Sequence, residues 1–515
     1  MKKLIIILCA ILCAAGCTQE EPSIIVSETT GEFTWKLLDD GTLIINGKGA
    51  MPDYEVSPWG VTTAPWNEYR NEITSVIIGN DISNIGNWAF SQCDNLTSVT
   101  IGSSVTTIGS RAFGYCRGLS SIIIPNTVTS IGDYTFGNCT GLASVTIPNS
   151  VTTIGNYAFG GCTSLTSITI PNSVISIGSS TFTHCTSLMS INVDDRNTVY
   201  SSENGVLFNK IKTTLVEYPA GKTGDYTILN SVTTIGSRAF EECNKLTSIT
   251  IPGGVTEIDS YAFIGCTGLT SVTIPNSVTS INEAAFHSTG LKSVVIPNSI
   301  TSLSDYLFYN CRSLTSVIIP NLITSIGVRA FEECSSLTSI TIPDGVTEIA
   351  AYTFLGCTEL TSVTIPNSVT SIGEGSFMYC GSLTSIAIPN SLTSIEGGTF
   401  YGCINLTSVI IPNLITSIGA QAFKDCVGLT SVTIGNSVVY IGYEAFNDCT
   451  GLIEIINQQA IPQTIENGYN AETYGMFSGV NKTACALFVP AGSEAAYREA
   501  EVWKDFENIK AISVD

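Results

Sequence analysis

Histidine is almost absent from this sequence, which contains 515 residues but only two histidines, His184 and His287. Charged residues are also scarce, at 12% of the chain. The sequence has no glycine-rich phosphate loop, no His-Glu-x-x-His zinc motif and no Gly-x-Ser-x-Gly nucleophile motif. Because histidine is a common proton-transfer group and zinc ligand, these absences disfavour an enzyme and a metal site. We expect no cofactor, and we expect both histidines to be exposed substitutions.

Basic residues are about half as frequent as acidic ones, with 21 Lys and Arg against 43 Asp and Glu and a net charge of -22. Nucleic acids are polyanions that bind cationic surfaces, so this imbalance disfavours a nucleic-acid partner. Because the charge is spread thinly, most of the solvated surface must consist of Ser, Thr, Asn and Gly. Such a surface is expected to bind extracellular proteins or glycans.

Long apolar runs are missing beyond the first residues, where two lysines precede an apolar segment at 4–15. This segment has the length of a secretory signal and about half the length of a membrane span. It ends in Ala-Ala-Gly-Cys17, which resembles the lipobox of bacterial lipoproteins, whose cysteine thiol receives diacylglycerol. We therefore predict a signal peptide at 1–16, lipidation of Cys17, a tether at 17–22 and membrane attachment through lipid alone. Plain secretion with an incidental Cys17 is the alternative.

Two early acidic residues, Glu20 and Glu21, follow the candidate lipidation site. They resemble the signal that sends some Gram-negative lipoproteins to the outer face of the outer membrane. A merely solvated linker would have the same composition. The first interpretation predicts an exported, lipid-anchored protein of the outer membrane that faces the cell exterior.

Cysteine is abundant, and its spacing reveals a repeat of 23 residues. Cysteines lie at 93, 116, 139, 162 and 185, at 243 and 266, and every 23 residues from 311 to 449. The repeated unit reads C-x-x-L-T-S-I-T-I-P-N-S-V-x-x-I-G-x-x-A-F-x-x-C. About fifteen copies agree at many positions, which indicates a stack of similar structural units.

Each position of the unit has a physical role. Ile168 and Ile170 alternate with polar residues, which predicts a short strand with the isoleucines inward. Ser167 and Thr169 then point outward, and the following Pro-Asn pair ends the strand because proline cannot donate to a ladder. Gly178 is expected at a turn with a positive φ. The Ala-Phe-x-x-Cys spacing predicts a single helical or 3-10 turn with Phe and Cys inward.

One such unit buries too few apolar side chains to offset the entropy of ordering its backbone. Stacked units shield one another and share strand hydrogen bonds, so the repeat becomes stable in series. The sequence therefore predicts a mostly β solenoid of about fifteen 23-residue rungs with short helical or 3-10 turns, capped at both ends.

The pattern resembles the BspA-like leucine-rich-repeat family of surface lipoproteins over nearly the whole chain beyond the signal. The stretch at 360–373, Leu-Thr-Ser-Val-Thr-Ile-Pro-Asn-Ser-Val-Thr-Ser-Ile-Gly, is very close to that family's consensus. The lead at 33–54 and the following Pro65-Trp66 also fit. Members are typically exported or surface proteins, several implicated in adhesion to matrix proteins or other cells. The resemblance therefore implies a leucine-rich-repeat solenoid that acts as an adhesin or binding protein.

Both ends and one internal stretch depart from the repeat. Residues 23–72 alternate like a β-hairpin, which predicts an N-terminal β cap. The solenoid is predicted at 73–455, with an insert at 194–226 that forms a projecting hairpin. Residues 456–515 are predicted to form a C-terminal cap, in which a helix at 494–503 covers the final sheet edge.

Aromatic residues concentrate at these departures from the repeat. The tryptophans in or beside the N-terminal cap either close the core over the first rung or form a platform for a sugar ring; they are Trp35, Trp59, Trp66 and Trp88. The tyrosines of the insert either pack the hairpin or form a local binding feature; they are Tyr200, Tyr218 and Tyr226.

Fourteen of the 18 cysteines share one slot of the repeat. A disulfide could therefore join only neighbouring rungs, at about 5 Å, which disulfide geometry just permits. The thiols come singly and without a nearby histidine, which disfavours a metal site. We predict a ladder of buried, free thiols that act as small apolar groups. Disulfides, the usual state in exported proteins, are the alternative.

Adjacent carboxylates are the remaining catalytic candidates in the sequence. Glu241-Glu242 and Glu332-Glu333 lie in a variable slot of the repeat, where adjacent carboxylates are predicted to be solvated. Nothing singles out a pair with the spacing that glycoside hydrolysis requires.

The outward strand positions form the candidate binding face. Its residues are Ser98, Thr100, Ser144, Thr146, Ser167, Thr169, Ser248, Thr250, Ser271, Thr273, Ser362, Thr364, Ser431 and Thr433. Interruptions occur at Ile123, Val295, Ile318, Ala387 and Ile410. Ser and Thr are also simply suitable for exposed strands. The binding interpretation predicts an adhesin or protein-binding module for macromolecules of host or neighbouring cells; the alternative is a glycan-binding surface lipoprotein in a nutrient-capture system.

Overall fold

The computed structural model describes residues 22–57, 61–465 and 475–513. They form a mostly β solenoid of about 19 turns with almost no helix, which confirms the predicted fold class. The expected number was about fifteen because the cysteine spacing marks only the most regular turns. The described residues group into an N-terminal unit, within Met1–Leu165 and Ser176–Thr181, and a C-terminal unit, within Thr166–Ile175 and Phe182–Asp515.

The N-terminal unit begins with three antiparallel strands, Ile24–Thr30, Phe33–Leu38 and Thr42–Gly47. The third strand pairs in parallel with Ser75–Ile78, so the antiparallel segment passes directly into the repeat. A 3-10 helix at Asn67–Tyr69 lies between these two strands in the chain. The other strands of this unit are Gly49–Ala50, Ile82–Ile85, Ser98–Thr100, Thr107–Ile108, Ser121–Ile123, Ser130–Ile131, Ser144–Thr146, Thr153–Ile154 and Ser176–Ile177.

Each regular rung carries a longer and a shorter strand, and both pair in parallel with the equivalent strand of the next rung. In the N-terminal unit, Ser121 pairs with Ser144 and Ser130 pairs with Thr153. Both partners are 23 residues apart, because equal sequences place equal backbone groups at the same position of each turn. The aliphatic residue between the two outward positions of a longer strand points inward, as buried Ile122 shows.

The C-terminal unit repeats the same two sets of strands. The longer strands are Ser167–Ile170, Ser190–Val193, Gly224–Thr227, Leu246–Thr250, Ser271–Thr273, Ser293–Val295, Ser316–Ile318, Ser339–Thr341, Ser362–Thr364, Ser408–Ile411, Ser431–Ile434, Glu454–Asn457, Ala486–Val489 and Asn508–Ala511. The shorter strands, together with two insert strands, are Tyr200–Glu203, Val206–Asn209, Thr214–Glu217, Thr234–Ile235, Glu257–Ile258, Ser280–Ile281, Ser302–Leu303, Ser325–Ile326, Glu348–Ile349, Ser371–Ile372, Ser394–Ile395, Ser417–Ile418, Tyr440–Ile441 and Thr464–Ile465.

A column of stacked phenylalanine rings runs through the core of each unit. In the C-terminal unit it extends from Phe240 to Phe477, and the closest ring centroids are 4.9 Å apart. Tyr218 occupies the equivalent position before Phe240, and Trp503 packs edge-on against Phe477. The surrounding core is one cluster of buried residues from Val206 to Ile509. Each ring is thus buried by the rungs on either side of it.

The turn after the shorter strand differs from the prediction at Gly178, whose φ is not positive. A Cβ at Gly178 would lie 2.6 Å from the carbonyl carbon of Gly155 in the preceding rung. Glycine is therefore required here because successive backbones approach closely. In the preceding rung, the left-handed residues are Tyr157 and Gly161, with φ of 53° and 76°. Gly161 lies within the turn in which the Cys162 N–H donates to a carbonyl at 3.1 Å.

The insert forms the expected hairpin, because Val206–Asn209 pairs antiparallel with Thr214–Glu217. It does not project as predicted. Val206, Leu207 and Phe208 are fully buried, and the hairpin contributes Val206 and Phe208 to the core of an enlarged rung.

The C-terminal helix is shorter than expected. It spans Glu494–Glu499 and is followed by a 3-10 turn at Trp503–Asp505. The chain then adds the strand Asn508–Ala511 in parallel to Ala486–Val489. The helix packs beside this last strand, where the Arg498 guanidinium donates to the carbonyl of Ile509 at 2.9 Å.

Candidate functional site

The outward first and third positions of the longer strands form a surface that we call the hydroxyl face. All fourteen candidate residues lie on it, in one unit or the other. Ser248, Ser431 and Thr433 are half-buried, and the other candidate residues are exposed. Ser248 pairs with Ser271 and Thr250 with Thr273, so these four hydroxyls form adjacent columns.

Other candidate residues lie beside rungs in which the third position has changed. Thr433, for example, pairs with Ile410 rather than with another threonine. In the N-terminal unit, Thr146 pairs with Ile123 in the same way. The hydroxyl face is therefore an array of Ser and Thr in which aliphatic residues replace the threonine of particular rungs.

A further column of threonines flanks the hydroxyl face, but its hydroxyls are occupied within the chain. Thr361 donates to the carbonyl of Thr338 at 3.0 Å, and Thr97 donates to that of Thr74 at the same distance. These bonds connect successive rungs. The hydroxyls of this column therefore support the fold, which separates them from those of the hydroxyl face.

Charge is absent from the hydroxyl face over nine successive rungs of the C-terminal unit. From Ser248 and Thr250 to Ser431 and Thr433, its two positions hold only uncharged side chains. An acidic residue, Asp225, lies in the rung before this stretch and accepts hydrogen bonds from Ser248 at 2.7 Å and from a neighbouring threonine. These bonds lower the pKa of the Asp225 carboxyl. This stretch thus presents neutral hydrogen-bonding groups to a ligand.

The aliphatic interruptions are among the most exposed large apolar side chains in the described part of the chain. Ile123 is 80% exposed, Ile410 69%, Ile318 62% and Val295 58%. Val295 and Ile318 pair directly across adjacent strands. Isolated exposed aliphatic residues are ordinary, but adjacent ones on a polar face form a candidate contact site.

The two histidines differ in their surroundings. His184 is exposed, as predicted. His287 is half-buried and stacks on Tyr309 with ring centroids 4.7 Å apart, so its predicted exposure was wrong. Burial lowers the pKa of the His287 imidazole. The rings of His287 and Tyr309 meet because each residue directly follows a stacked phenylalanine in neighbouring rungs.

The acidic pairs are only partly solvated. Glu241 and Glu332 are buried, which corrects the prediction. Each forms an ion pair with an arginine three residues earlier, at 3.0 Å from Arg238 and 2.9 Å from Arg329. The turn places both side chains on one side, and the guanidinium compensates the buried carboxylate. These carboxylates therefore have a structural role.

The tryptophans of the N-terminal unit close its core. Trp35 and Trp66 are buried and meet edge-on, and Trp66 stacks on Phe90 with centroids 5.5 Å apart. This supports the packing interpretation for both residues. Trp59 lies outside the described residues.

A second row of stacked groups starts at Trp88, which is half-buried. The Arg111 guanidinium lies 4.6 Å from the Trp88 ring and 4.3 Å from that of Tyr134, which stacks on Tyr157. Both faces of Tyr134 are thus covered by neighbouring side chains. This row therefore offers no open face of Tyr134 for a sugar ring.

The tyrosines of the insert at 194–226 mainly pack against other aromatic rings. Tyr218 is buried, and its ring lies 4.7 Å from that of Tyr226. Burial raises the pKa of the Tyr226 hydroxyl to about 12. Tyr200 is half-buried. The packing interpretation is therefore confirmed for Tyr218 and Tyr226.

The fifteen described cysteines are buried, free thiols, and fourteen of them form the predicted ladder, while Cys485 lies outside the repeat slot. The structure adds a function for the thiol hydrogen. Cys357 donates to the carbonyl of Phe331 at 3.2 Å, and Cys380 donates to that of Phe354 at 3.3 Å. The sulfur therefore satisfies a carbonyl of the preceding rung as well as filling space. Burial raises the pKa of these thiols, to about 12 for Cys139.

Sequence reasoning missed a polar pocket in the N-terminal unit. Its volume is about 460 Å³, and its lining includes Arg70, Asp94, Tyr115 and Arg117. Arg117 and Asp94 form a largely exposed ion pair of 2.7 Å. The available signal was the 23-residue spacing of Asp94 and Arg117, which places them in one column.

Within the described residues, no group of three or more His, Cys, Asp or Glu side chains is arranged to hold a metal ion. The helices in the same part of the chain are too short or too polar to cross a membrane. Cys17, the candidate lipidation site, lies outside the described residues.

The chain matches one family model and is similar to several solved structures. The family described as BspA type leucine rich repeat region matches the chain at 68–189, 108–223, 209–338 and 324–453. A leucine-rich repeat protein from Eubacterium ventriosum is 30% identical, with 78% of this chain and 95% of that chain covered and a TM-score of 0.52. No curated protein matches the sequence significantly.

Two further crystal structures are similar to this chain. A leucine-rich repeat protein from Bacteroides ovatus is 25% identical over 97% of this chain and 100% of that chain, with a TM-score of 0.45. A leucine rich cell surface protein from Faecalibacterium prausnitzii is 26% identical over 85% of this chain and 95% of that chain, with a TM-score of 0.38.

Proposed function

Because the chain belongs to the BspA-type leucine-rich repeat family, we propose that it is a binding protein that recognises extracellular proteins of host or neighbouring cells through its hydroxyl face. The observation that carries this proposal is the uncharged array of mostly exposed side chains over nine rungs of the C-terminal unit. Regularly spaced hydroxyls and aliphatic groups offer many weak contacts that add up along a partner.

A binding role fits the chemistry better than catalysis. The buried carboxylates Glu241 and Glu332 are engaged by arginines, and burial suppresses ionisation of the repeat thiols. The net charge of -22 and the uncharged stretch of the hydroxyl face from Ser248 to Thr433 both disfavour a nucleic-acid partner.

A glycan-binding role in nutrient capture is the second candidate. Adjacent columns such as Ser248 with Ser271 and Thr250 with Thr273 repeat at one strand spacing. A polysaccharide is a repetitive ligand whose hydroxyls could bond to such columns.

A negative charge on the hydroxyl face should weaken binding. We expect Thr364→Glu to lower affinity for immobilised matrix proteins at least about tenfold, because the carboxylate must lose water without gaining a partner. The measurement is surface plasmon resonance with purified protein lacking residues 1–17.

The matched control is Ser302→Glu on a shorter strand, where Glu348 lies at the equivalent position of a later rung. This control should bind like the original protein. Equal loss in both variants would contradict a role for the hydroxyl face, and loss of polysaccharide binding alone would favour the second candidate.

We further propose that the protein is exported and held at the outer membrane by lipid on Cys17, facing the cell exterior. The Ala-Ala-Gly-Cys17 motif after a short apolar segment supports this location. Cys17→Ala should move the protein from the membrane fraction of cells to the soluble fraction. Its retention in the membrane fraction would exclude lipid as the anchor.

A further inference from the structure

Two grooves open on the hydroxyl face of the C-terminal unit, each beside an aliphatic interruption. The first groove has a volume of about 390 Å³ and is lined by Val295, Ile318, Asn276, Asn298 and Pro320, among others. The second groove has a volume of about 420 Å³, and its lining includes Ala387, Ile388, Ile410, Asn390 and Pro412.

The two grooves lie at the same position of the repeat. Val295 and Ala387 are 92 residues apart, as are Ile318 and Ile410, which corresponds to four repeats of 23 residues. At a spacing of about 4.8 Å between strands, the two grooves lie roughly 20 Å apart. That distance matches about six residues of an extended polypeptide at roughly 3.3 Å each. An even number of residues places both side chains on the same side of the extended chain.

The chemistry of the grooves selects an uncharged, apolar side chain. Val295 and Ile318 provide adjacent aliphatic surface, and the small Ala387 leaves space beside Ile410. No charged side chain lines either groove, and charge is absent from the hydroxyl face over the rungs between them. A charged group would lose its hydration there without a partner, so it would be disfavoured.

The edges and the space between the grooves can bond to a peptide backbone. Asn298 and Asn390 are exposed and carry an amide that both donates and accepts hydrogen bonds. Between the grooves, Thr341 and Thr364 pair in adjacent exposed positions. Their hydroxyls can bond to the amides and carbonyls of a chain laid across the rungs.

The geometry points to a two-point peptide site: the grooves bind one extended, uncharged polypeptide segment through two apolar side chains six residues apart. This site rests on the proposed protein-binding function and specifies its ligand. The aliphatic interruptions of the hydroxyl face are therefore the positions that determine which ligand binds.

The probe is a set of peptides made of Ser, Asn and Gly with two leucines four, six or eight residues apart, measured by fluorescence polarisation. We expect the six-residue spacing to bind best, because only this spacing reaches both grooves on one side. Ile318→Thr and Ile410→Thr should each weaken its binding about tenfold, and the double variant about a hundredfold.

These substitutions introduce the residue that other rungs carry at the same position, such as Thr341 and Thr364, so the fold should persist. Circular dichroism should show unchanged melting. The control is Ile211→Thr in the insert, where the isoleucine is 73% exposed outside both grooves, and it should bind like the original protein.

Unchanged binding in the double variant, or equal affinity for all spacings, would overturn the two-point site. Dimerisation that the double variant abolishes in sedimentation experiments would assign the grooves to a second copy of this chain and also overturn it. If matrix proteins still bind and Thr364→Glu weakens them, the proposed function survives this failure. If neither peptides nor matrix proteins bind, the proposed function fails as well.

Discussion

Phe354→Ala is expected to lower the free energy of unfolding by about 3–5 kcal/mol, the range for truncating a buried phenylalanine. Phe354 is fully buried, and its ring stacks between Phe331 at 5.5 Å and Phe377 at 5.4 Å. Alanine would leave a cavity and remove two ring contacts at once. Urea unfolding followed by circular dichroism measures the change.

Two variants control for this effect. Phe354→Leu retains most of the apolar volume and should cost clearly less. Tyr379→Ala removes an aromatic ring that is 45% exposed and should change stability by less than about 1 kcal/mol. If Phe354→Ala is no more destabilising than Tyr379→Ala, the stacked column is not a main source of stability.

Thiol labelling should differ almost completely between the folded and unfolded protein. In protein lacking residues 1–17, Ellman's reagent should react with none of the fifteen described cysteines in buffer and with all of them in guanidinium chloride. Burial excludes the reagent and raises the thiol pKa, so the reactive thiolate does not form. Even Cys311, whose pKa is raised to about 11, should remain protonated and unreactive at pH 9.

A cysteine introduced by Thr364→Cys, on the exposed hydroxyl face, is the positive control and should react in buffer. Absence of labelling after unfolding would mean that the rungs are joined by disulfides. Rapid labelling in buffer would mean that the rungs open readily, which the hydrogen bond from Cys357 to the Phe331 carbonyl opposes.

The architecture of the rung could be predicted because its information is local and repeated many times. Ile168 and Ile170 are buried and Ser167 and Thr169 exposed, as the alternation indicated. The role of Gly178 could not be predicted in this way. Its backbone must approach the preceding rung closely, and that distance is set by stacking rather than by the sequence of a single unit.

The candidate site was predictable in part. The positions of the outward hydroxyls follow from the strand pattern, but the grooves arise where residues from two or three rungs and their Pro-Asn turns meet. The buried ion pair of Arg329 with Glu332 had an available signal, because the spacing of three residues places both groups on one turn.

The equal register of the rungs makes the protein modular in length. Unequal recombination between two copies of the repeat would delete or duplicate one whole unit and still join matching backbone ends. Removing one unit between Ile318 and Ala387 would shorten the distance between the two grooves by one strand spacing. The residues that line each groove would stay the same. The distance between the two grooves can therefore change during evolution only in steps of one rung. Related chains that differ by one repeat should prefer peptides whose two apolar side chains are separated by a different number of residues.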